Sequence, residues 1–283
     1  MKKLLPDWIR VKPFEKTAYE QILTLLKQNS LNTVCIEADC PNRYECFSRK
    51  ALTFMILGNV CTRSCGYCNV KSGRPERPDD TEPKRIAALV KRLALKYVVV
   101  TSVSRDDLAD GGASQFVKTI SAVRRRVPSS RIEVLIPDLA GNWDALKQIV
   151  DARPTVLGHN IEVVRELFPT LRPEGGYELS LDLLRRAKDL DASITTKSGL
   201  MIGLGEDKQQ ILKAMRYIRN TGCDILTIGQ YLQPSKRHEP VRKYYTPEEF
   251  RFFKKQGAAL GFRHTESGPL VRSSYMGERA ISH

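Results

Sequence analysis

The chain has 283 residues, of which 41% are hydrophobic, and its formal net charge is +14. It contains no run of about eighteen apolar residues, so the sequence excludes a conventional membrane-spanning helix. Residues 1–10 lack the apolar centre of a secretory signal, and we therefore expect a cytoplasmic protein.

The positive charge is spread along the whole sequence. Its densest cluster, Arg124 to Arg126, falls at the end of a predicted helix, where the helix dipole favours cations. The sequence has no motif in which basic and aromatic residues interleave, so we expect neither a nucleic-acid partner nor a membrane partner. Two interpretations of the charge stay open: a generally basic surface, and a surface that attracts an acidic protein.

Secondary-structure patterns change near residue 50. Before it, one amphipathic helix is predicted over Thr17–Gln28 and is followed by a loop that contains cysteines. After it, helical patterns alternate with segments rich in Val, Ile and Leu, which are typical of strands buried on both faces. The predicted strands are Leu52–Leu57, Tyr97–Val103, Ile132–Ile136, Thr155–His159, Ile194–Ile202 and Ile225–Gln230. The predicted helices are Pro83–Lys96, Ala113–Arg126, Trp143–Ala152, Ile161–Leu167 with Ser180–Leu190, Asp207–Thr221 and Thr246–Leu260.

Six strand-then-helix units in series predict a parallel sheet with right-handed crossovers. Because eight units are needed to close a full barrel, we predict an α/β fold with a partial (β/α)6 barrel over residues 51–260. Residues 1–50 would form an N-terminal extension and residues 261–283 a C-terminal segment. Reactive groups in such folds lie at the carboxyl ends of the strands, and a cysteine-rich loop directly follows the first strand of the series.

Seven cysteines are the most informative feature of the composition. An odd number in a chain without a secretory signal argues against a disulfide framework, whereas clustered thiols in a reducing compartment are typical metal ligands. Cys223 stands alone, and we expect it to be a buried core residue. The clustered thiols form two triads, Cys35, Cys40 and Cys46, then Cys61, Cys65 and Cys68.

The second triad has the spacing C-x3-C-x2-C on one short loop. Three thiolates can hold three corners of a cubane iron–sulfur cluster and leave one iron open, which a reactive site requires. Zinc also accepts thiolates, but it needs a fourth ligand, and none of the four histidines is close to this loop in the sequence. The pattern favours a [4Fe–4S] cluster.

With Tyr67 before its last cysteine, this loop resembles the signature of the radical S-adenosylmethionine superfamily. The resemblance implies that Cys61, Cys65 and Cys68 hold a [4Fe–4S] cluster whose open iron binds S-adenosylmethionine. It further implies that Tyr67 contacts the adenine region, although an aromatic side chain at this position could also be ordinary loop packing.

Two later segments extend the resemblance. Gly199–Glu206 is similar to the GxIxGxxE pattern of the superfamily, which implies that Gly203 and Glu206 line the cofactor. Asn160 and Glu162 follow the fourth predicted strand. They could hydrogen-bond the ribose or amino group of the cofactor, or cap and start the next helix.

The first triad has the spacing C-x4-C-x5-C and resembles the motif with which the lipoyl synthase family binds an auxiliary [4Fe–4S] cluster. In that family a serine near the C-terminus is the fourth ligand, and Arg272–Tyr275 reads Arg-Ser-Ser-Tyr like the family segment. On resemblance alone the role is assigned to Ser273 rather than Ser274. Arg272 would lie beside this cluster, unless it forms a surface ion pair. A hydroxyl is a weak partner for a soft cluster, so its bond can break and release sulfur.

Further segments resemble the same family: Thr101–Leu108, His159–Glu162 and Gly229–Ser235. Asp106 and Asp107, within the first of these, could cap a loop or bind a cation.

The resemblance implies a sulfurtransferase that inserts two sulfur atoms at C6 and C8 of an octanoyl chain held on a lysine of a lipoyl carrier domain. The implied cofactors are two [4Fe–4S] clusters and S-adenosylmethionine. The implied partners are an octanoylated carrier domain or H protein, an electron donor such as ferredoxin or flavodoxin, and an iron–sulfur carrier protein. Two alternatives are a biotin synthase-like enzyme, which should hold its auxiliary cluster inside the barrel strands, and a non-catalytic iron–sulfur or zinc protein.

Overall fold

The computed structural model of the chain describes residues 5–10, 16–275 and 277–278. The remaining parts of the predicted N-terminal extension and C-terminal segment lie outside the described residues. The strands are β1 Asn32–Thr33, β2 Thr53–Ile56, β3 Val60–Cys61, β4 Lys71–Ser72, β5 Tyr97–Ser102, β6 Arg131–Leu135, β7 Val156–Gly158, β8 Thr195–Ile202, β9 Ile225–Gln230 and β10 His264–Gly268. The helices are α1 Lys16–Gln28, α2 Val34–Glu37, α3 Arg43–Ser48, α4 Glu82–Leu93, α5 Ala113–Arg126, α6 Trp143–Asp151, α7 Phe168–Leu171, α8 Tyr177–Leu190, α9 Lys208–Asn220 and α10 Pro247–Ala259, with short 3-10 turns at Leu139–Gly141 and Arg165–Leu167.

Eight strands form one sheet in the order β1-β2-β5-β6-β7-β8-β9-β10. From β2 to β10 each neighbouring pair is parallel, while β1 runs antiparallel to β2 at one edge. The two edges do not pair with each other, so the sheet is an open, partial barrel. The predicted (β/α)6 class is confirmed, and its six strands are β2 and β5 to β9.

The edge strands β1 and β10 were not predicted. β1 has two residues, and β10 carries polar residues without the Val- and Ile-rich pattern of a buried strand. Both lie in the predicted extensions, so each extension contributes one strand to the sheet.

The predicted helix over Ile161–Leu167 is wrong. Glu162 has a φ of +70° and bridges β8: its amide donates to the carbonyl of Gly199 over 3.0 Å, and its carbonyl accepts from Met201 over 2.7 Å. Helical structure begins at Arg165. The residues that follow β7 are therefore held by hydrogen bonds to a neighbouring strand, which override their local helical pattern.

Two hydrophobic clusters pack the barrel wall. One joins β2, β5 and β6 to helices α4 to α6 and includes Phe54 and Phe116, both fully buried. The other joins β8 and β9 to α9 and α10 and includes Ile228 and Phe250. Cys223 lies in the second cluster at 0% exposure, which confirms its expected place in the core. Among the described residues, no helix is long and apolar enough to span a bilayer.

The C-terminal segment after β10 packs against the inner side of the sheet. A Cβ on Gly229 of β9 would lie 2.2 Å from the carbonyl oxygen of Val271, so only glycine permits this close approach. Further along, a Cβ on Gly277 would lie 3.0 Å from Glu133 Oε2. Glu133 forms a buried ion pair with Lys197, 2.8 Å away on β8, across the intervening strand β7. The segment that contains the two neighbouring serines is thus anchored inside the barrel.

Candidate functional site

The loop that follows β2 presents the second cysteine triad at the carboxyl ends of the strands. Backbone contacts fix it from two sides. The Gly66 amide donates to the Leu171 carbonyl over 2.9 Å, and the Glu239 amide donates to the Gly66 carbonyl over 3.0 Å. His238 Nε2 donates to the carbonyl of Cys68 over 2.9 Å. The loops that follow β7 and β9 therefore hold the cysteine loop in place.

Arg63, inside the cysteine spacing, is held by two carboxylates. It is 5% exposed, and its guanidinium donates to both oxygens of Asp138 over 2.6 and 2.7 Å and to both oxygens of Asp106 over 2.6 and 2.9 Å. Burial acts to raise the pKa of Asp138, but the hydrogen bonds from Arg63 hold that pKa below its ordinary value. We call these three residues the Arg63 clamp. It ties the cysteine loop to the segments that follow β5 and β6.

The Arg63 clamp also decides between the two roles left open for Asp106 and Asp107. Asp106 pairs with Arg63, and Asp107 lies 2.8 Å from Arg105. Both carboxylates therefore stabilise loops through arginine rather than standing free for a cation.

The thiols of the second triad influence one another. Burial raises the pKa of Cys68 to about 12, and the nearby Cys65 and Cys61 act in the same direction. Burial also raises the pKa of Cys65, while Arg172 and a hydrogen bond with Tyr67 oppose the shift. Burial is the largest cause of both shifts, because it disfavours the charged thiolate.

Asn160 and Glu162 face this triad. Asn160 Nδ2 donates to Glu162 Oε1 over 3.0 Å. Helical structure begins only at Arg165, so neither residue caps or starts a helix, which excludes that alternative. Asn160 Oδ1 is buried without a hydrogen-bond partner in the described part of the chain. Burial raises the pKa of Glu162, opposed first by Arg172. A buried free acceptor beside a carboxylate fits a ligand with an ammonium group, such as the methionine moiety of S-adenosylmethionine.

Gly203 and Glu206 build the turn at the end of β8. Glu206 accepts from the backbone amides of Gly203 over 2.5 Å and Leu204 over 3.0 Å. Gly203 has a φ of +112°, and a Cβ there would lie 2.1 Å from Gln230 Nε2. These contacts explain why glycine and a carboxylate occur here. A direct contact of either residue with a cofactor stays a prediction.

The first triad lines a separate cavity next to Thr53 and Tyr97, the first residues of β2 and β5. Burial raises the pKa of Cys46 to about 12, and the neighbouring Cys35 and Cys40 add to the shift. The cavity is lined by all three cysteines together with Arg272, Ser274 and Tyr275. The segment that contains the first triad and the C-terminal segment therefore meet at this cavity, although they are far apart in sequence.

The two serines of the C-terminal segment point in different directions. Ser274 lines the cavity of the first triad. The hydroxyl of Ser273 accepts from Asn160 Nδ2 over 2.7 Å and lies close to Gly199 of β8. Ser273 is thus placed towards the second triad, and its role as ligand of the auxiliary cluster stays a prediction.

Arg272 lies between the two triads. Burial lowers the pKa of its guanidinium, while Cys40 of the first triad and Glu162 beside the second oppose that shift. Its Nη1 donates to the carbonyl of Val271 over 2.7 Å. Within the described residues no ion pair within 4.0 Å involves Arg272, so the surface ion pair considered from sequence is absent there. The position suits a cation that shields two negatively charged groups.

The donor chemistry of both triads fits iron–sulfur clusters. All six clustered cysteines are free thiols, which are the soft ligands that iron–sulfur clusters take. Within residues 5–10, 16–275 and 277–278 no group of three His, Cys, Asp or Glu side chains is already arranged to hold a metal ion, so the fit rests on the chemistry of the thiols.

Sequence reasoning missed Asp138 and Arg172. Arg172 Nη1 donates to the carbonyl of Asn160 over 3.2 Å, and its Nη2 lies 3.6 Å from Asp138 Oδ2. It therefore links the Arg63 clamp to the Asn160–Glu162 pair. The sequence did contain one signal for these residues, because Arg63 lies between Cys61 and Cys65. If this loop is buried, the charge of Arg63 requires an acidic partner elsewhere in the chain.

Comparison with known proteins agrees with this geometry. The family model described as Radical SAM superfamily matches residues 55–218. A lipoyl synthase from Rubrobacter xylanophilus is 53% identical over 270 residues, which cover 95% of this chain and 84% of the relative. A lipoyl synthase from Caldicellulosiruptor saccharolyticus is 51% identical over 273 residues, 96% of each chain.

Solved structures agree on the fold alone, because their sequence identities are low. SuiB from Streptococcus suis, bound to S-adenosylmethionine, has a TM-score of 0.60 at 11% identity and covers 91% of this chain and 65% of its own. HydG, a maturase of the [FeFe]-hydrogenase, has a TM-score of 0.59 at 18% identity and covers 75% of this chain and 50% of its own. Since the superfamily match spans more than half of the sequence and the relatives are about half identical over nearly all of it, the chain belongs to the lipoyl synthase family of radical S-adenosylmethionine enzymes.

Proposed function

We propose that this chain inserts two sulfur atoms, at C6 and C8, into an octanoyl chain that is amide-linked to a lysine of a lipoyl carrier domain. The observation that carries the proposal is that the C-terminal segment reaches both triads. Ser274 lines the cavity of the first triad, and Ser273 accepts a hydrogen bond over 2.7 Å from Asn160, which lies beside the second. A substrate chain held at this segment would be close to both triads. Sulfur insertion needs this proximity, because a hydrogen must leave and a sulfur must arrive at the same carbon.

Membership of the superfamily implies S-adenosylmethionine and a [4Fe–4S] cluster. We assign that cluster to Cys61, Cys65 and Cys68. When bound, the pair supplies a hydrogen-abstracting radical. The protein orients the cofactor and keeps water away. Asn160 Oδ1 and Glu162 would hold its amino group, and Tyr67, packed against the second hydrophobic cluster, would cover its adenine region.

We assign the auxiliary [4Fe–4S] cluster, the proposed sulfur source, to Cys35, Cys40 and Cys46. These thiols precede the barrel and line a cavity whose opposite wall is the C-terminal segment. The position of these ligands before the barrel separates the proposal from a biotin synthase-like enzyme, whose auxiliary-cluster ligands should lie within the barrel strands. A hydroxyl from the C-terminal segment would complete the ligand set with a bond weak enough to break.

Three partner classes follow from the proposal. An octanoylated carrier domain or H protein supplies the substrate, an electron donor such as ferredoxin or flavodoxin supplies electrons, and an iron–sulfur carrier protein restores the consumed cluster. A cytoplasmic location stays a prediction.

The proposal is tested by anaerobic reconstitution and incubation with S-adenosylmethionine, reductant and an octanoylated peptide that contains the carrier lysine. Mass spectrometry should show two hydrogens replaced by two sulfurs, together with 5′-deoxyadenosine. Deoxyadenosine without sulfur insertion would contradict the sulfurtransferase assignment. Neither product from protein that holds both clusters would favour the non-catalytic alternative, and zinc without acid-labile sulfide would favour a zinc protein.

The identity of the hydroxyl ligand is tested by two matched variants. Because Ser274 lines the cavity and Ser273 bonds to Asn160, Ser274→Ala is expected to lower lipoyl formation about tenfold or more and to reduce iron at the first triad. Ser273→Ala should leave that iron in place. Iron and sulfide analysis with product mass spectrometry measures both effects, and the opposite pattern would support Ser273, the residue assigned from sequence.

A further inference from the structure

Two exposed loops flank the cysteine loop at the barrel mouth. Residues 71–78 follow it directly, because β4 pairs with β3 at its base and the Gly73 amide donates to the Cys61 carbonyl over 2.9 Å. Residues 236–243 follow β9 and touch it through His238 and Glu239, which contact Cys68 and Gly66. Both loops therefore border the cysteine loop at the barrel mouth.

Cations outnumber carboxylates in both ranges. Together the ranges contain seven exposed cations, the exposed Glu76 and the half-buried Glu239. The cations are Lys71, Arg74, Arg77, Lys236, Arg237, Arg242 and Lys243. We call them the mouth cations. Asp79 and Asp80 follow the first range, where they pair with Arg85 and Lys118.

Most of the mouth cations form no ion pair. Lys243 lies 2.6 Å from Glu249, but across the part of the chain that the structure describes the other six have no carboxylate within 4.0 Å. Hydrogen bonds from Arg105 lower the pKa of Asp107, and Arg74 adds to this from a greater distance. Unpaired like charges on neighbouring loops repel one another, so their grouping destabilises the free protein slightly and is compensated when an anionic surface binds.

We propose that the mouth cations form the docking surface for an acidic folded domain that presents the acylated lysine to the barrel. This inference rests on the proposed function, because it takes the substrate to be an arm on a protein. Charge complementarity indicates an acidic partner. Of the partner classes in the proposed function, we assign the substrate carrier to this surface, because its acyl chain must enter the barrel beside the cysteine loop. A nucleic acid is a poorer fit, since residues 71–78 contain no aromatic side chain on which a base could stack.

The test compares a charge reversal at the mouth with a matched one elsewhere. The double variant Lys236→Glu with Arg237→Glu reverses two of the mouth cations. The control, Arg125→Glu with Arg126→Glu, makes the same change in charge at the end of α5, which leads to the amino end of β6. Each protein is assayed with an octanoylated carrier domain and with a short, uncharged octanoyl-lysine peptide, at low and at raised salt.

The mouth variant is expected to lower the ratio of kcat/KM for the domain to kcat/KM for the peptide about tenfold at low salt, with little change at raised salt. The Arg125 and Arg126 variant should keep the wild-type ratio. Equal ratios in the two variants would overturn the docking surface, as would complete displacement of the carrier domain by a mixed-sequence RNA. Turnover of the peptide by the wild-type chain reports separately on the proposed function, so the two ideas can fail independently.

Discussion

Cys65→Ala is expected to abolish 5′-deoxyadenosine formation, whereas Cys40→Ala should keep it and abolish sulfur insertion. The two thiols belong to different triads on separate segments, one after β2 and one before it, so each substitution leaves the other ligand set unchanged. Each variant should lose about half of the bound iron, because each triad would hold one of two equal clusters. Product analysis and iron content on the same anaerobic samples measure both effects.

Cys223→Ser is the matched control for these thiol substitutions. Cys223 lies in the second hydrophobic cluster at 0% exposure and donates to the carbonyl of Ile225 over 3.4 Å, away from both triads. The variant should keep full iron content and form both products, with some loss of stability. If Cys40→Ala lost deoxyadenosine formation as completely as Cys65→Ala, the assignment of separate tasks to the two triads would be wrong.

Arg63→Ala is expected to lower the free energy of unfolding by about 3–5 kcal/mol and to reduce iron at the second triad. The substitution leaves Asp138, which is 1% exposed, with Arg172 as its remaining cation at 3.6 Å. A buried carboxylate that loses its closest partner is costly because water cannot replace the lost hydrogen bonds. Urea unfolding of the reduced, metal-free protein, followed by circular dichroism, measures the change.

Two further variants grade this effect. Asp106→Asn keeps the Arg63–Asp138 contact and removes a carboxylate that is 35% exposed, so it should cost less. Lys118→Ala breaks an ion pair with Asp80, which is 81% exposed, and should cost at most about 1 kcal/mol. An Arg63→Ala variant no less stable than Lys118→Ala would show that the Arg63 clamp does not hold the cysteine loop.

The positions of the six central strands were predictable because they depend on local composition. Runs of Val, Ile and Leu buried on both faces carry their own signal, and β2 and β5 to β9 lie where that signal is strongest. The short strand β1 and the polar strand β10 have no such signal, since each depends on a partner strand that is distant in sequence. Glu162 illustrates the same limit, because its backbone pairs with β8 instead of continuing a helix.

The sequence by itself determined the chemistry of the site: two triads of thiols, their spacing, and their place before and after the first central strand. Ligand spacing on a short loop is a local property, so it can be read directly from the sequence. Only the tertiary structure decided which side chains support those thiols. Arg63 meets Asp138 from 75 residues away, and Asn42 Nδ2 donates to the Leu270 carbonyl from 228 residues away, next to the segment that contains Ser274. Such contacts arise from the way the sheet curves and the chain returns across it, and local sequence does not encode that path.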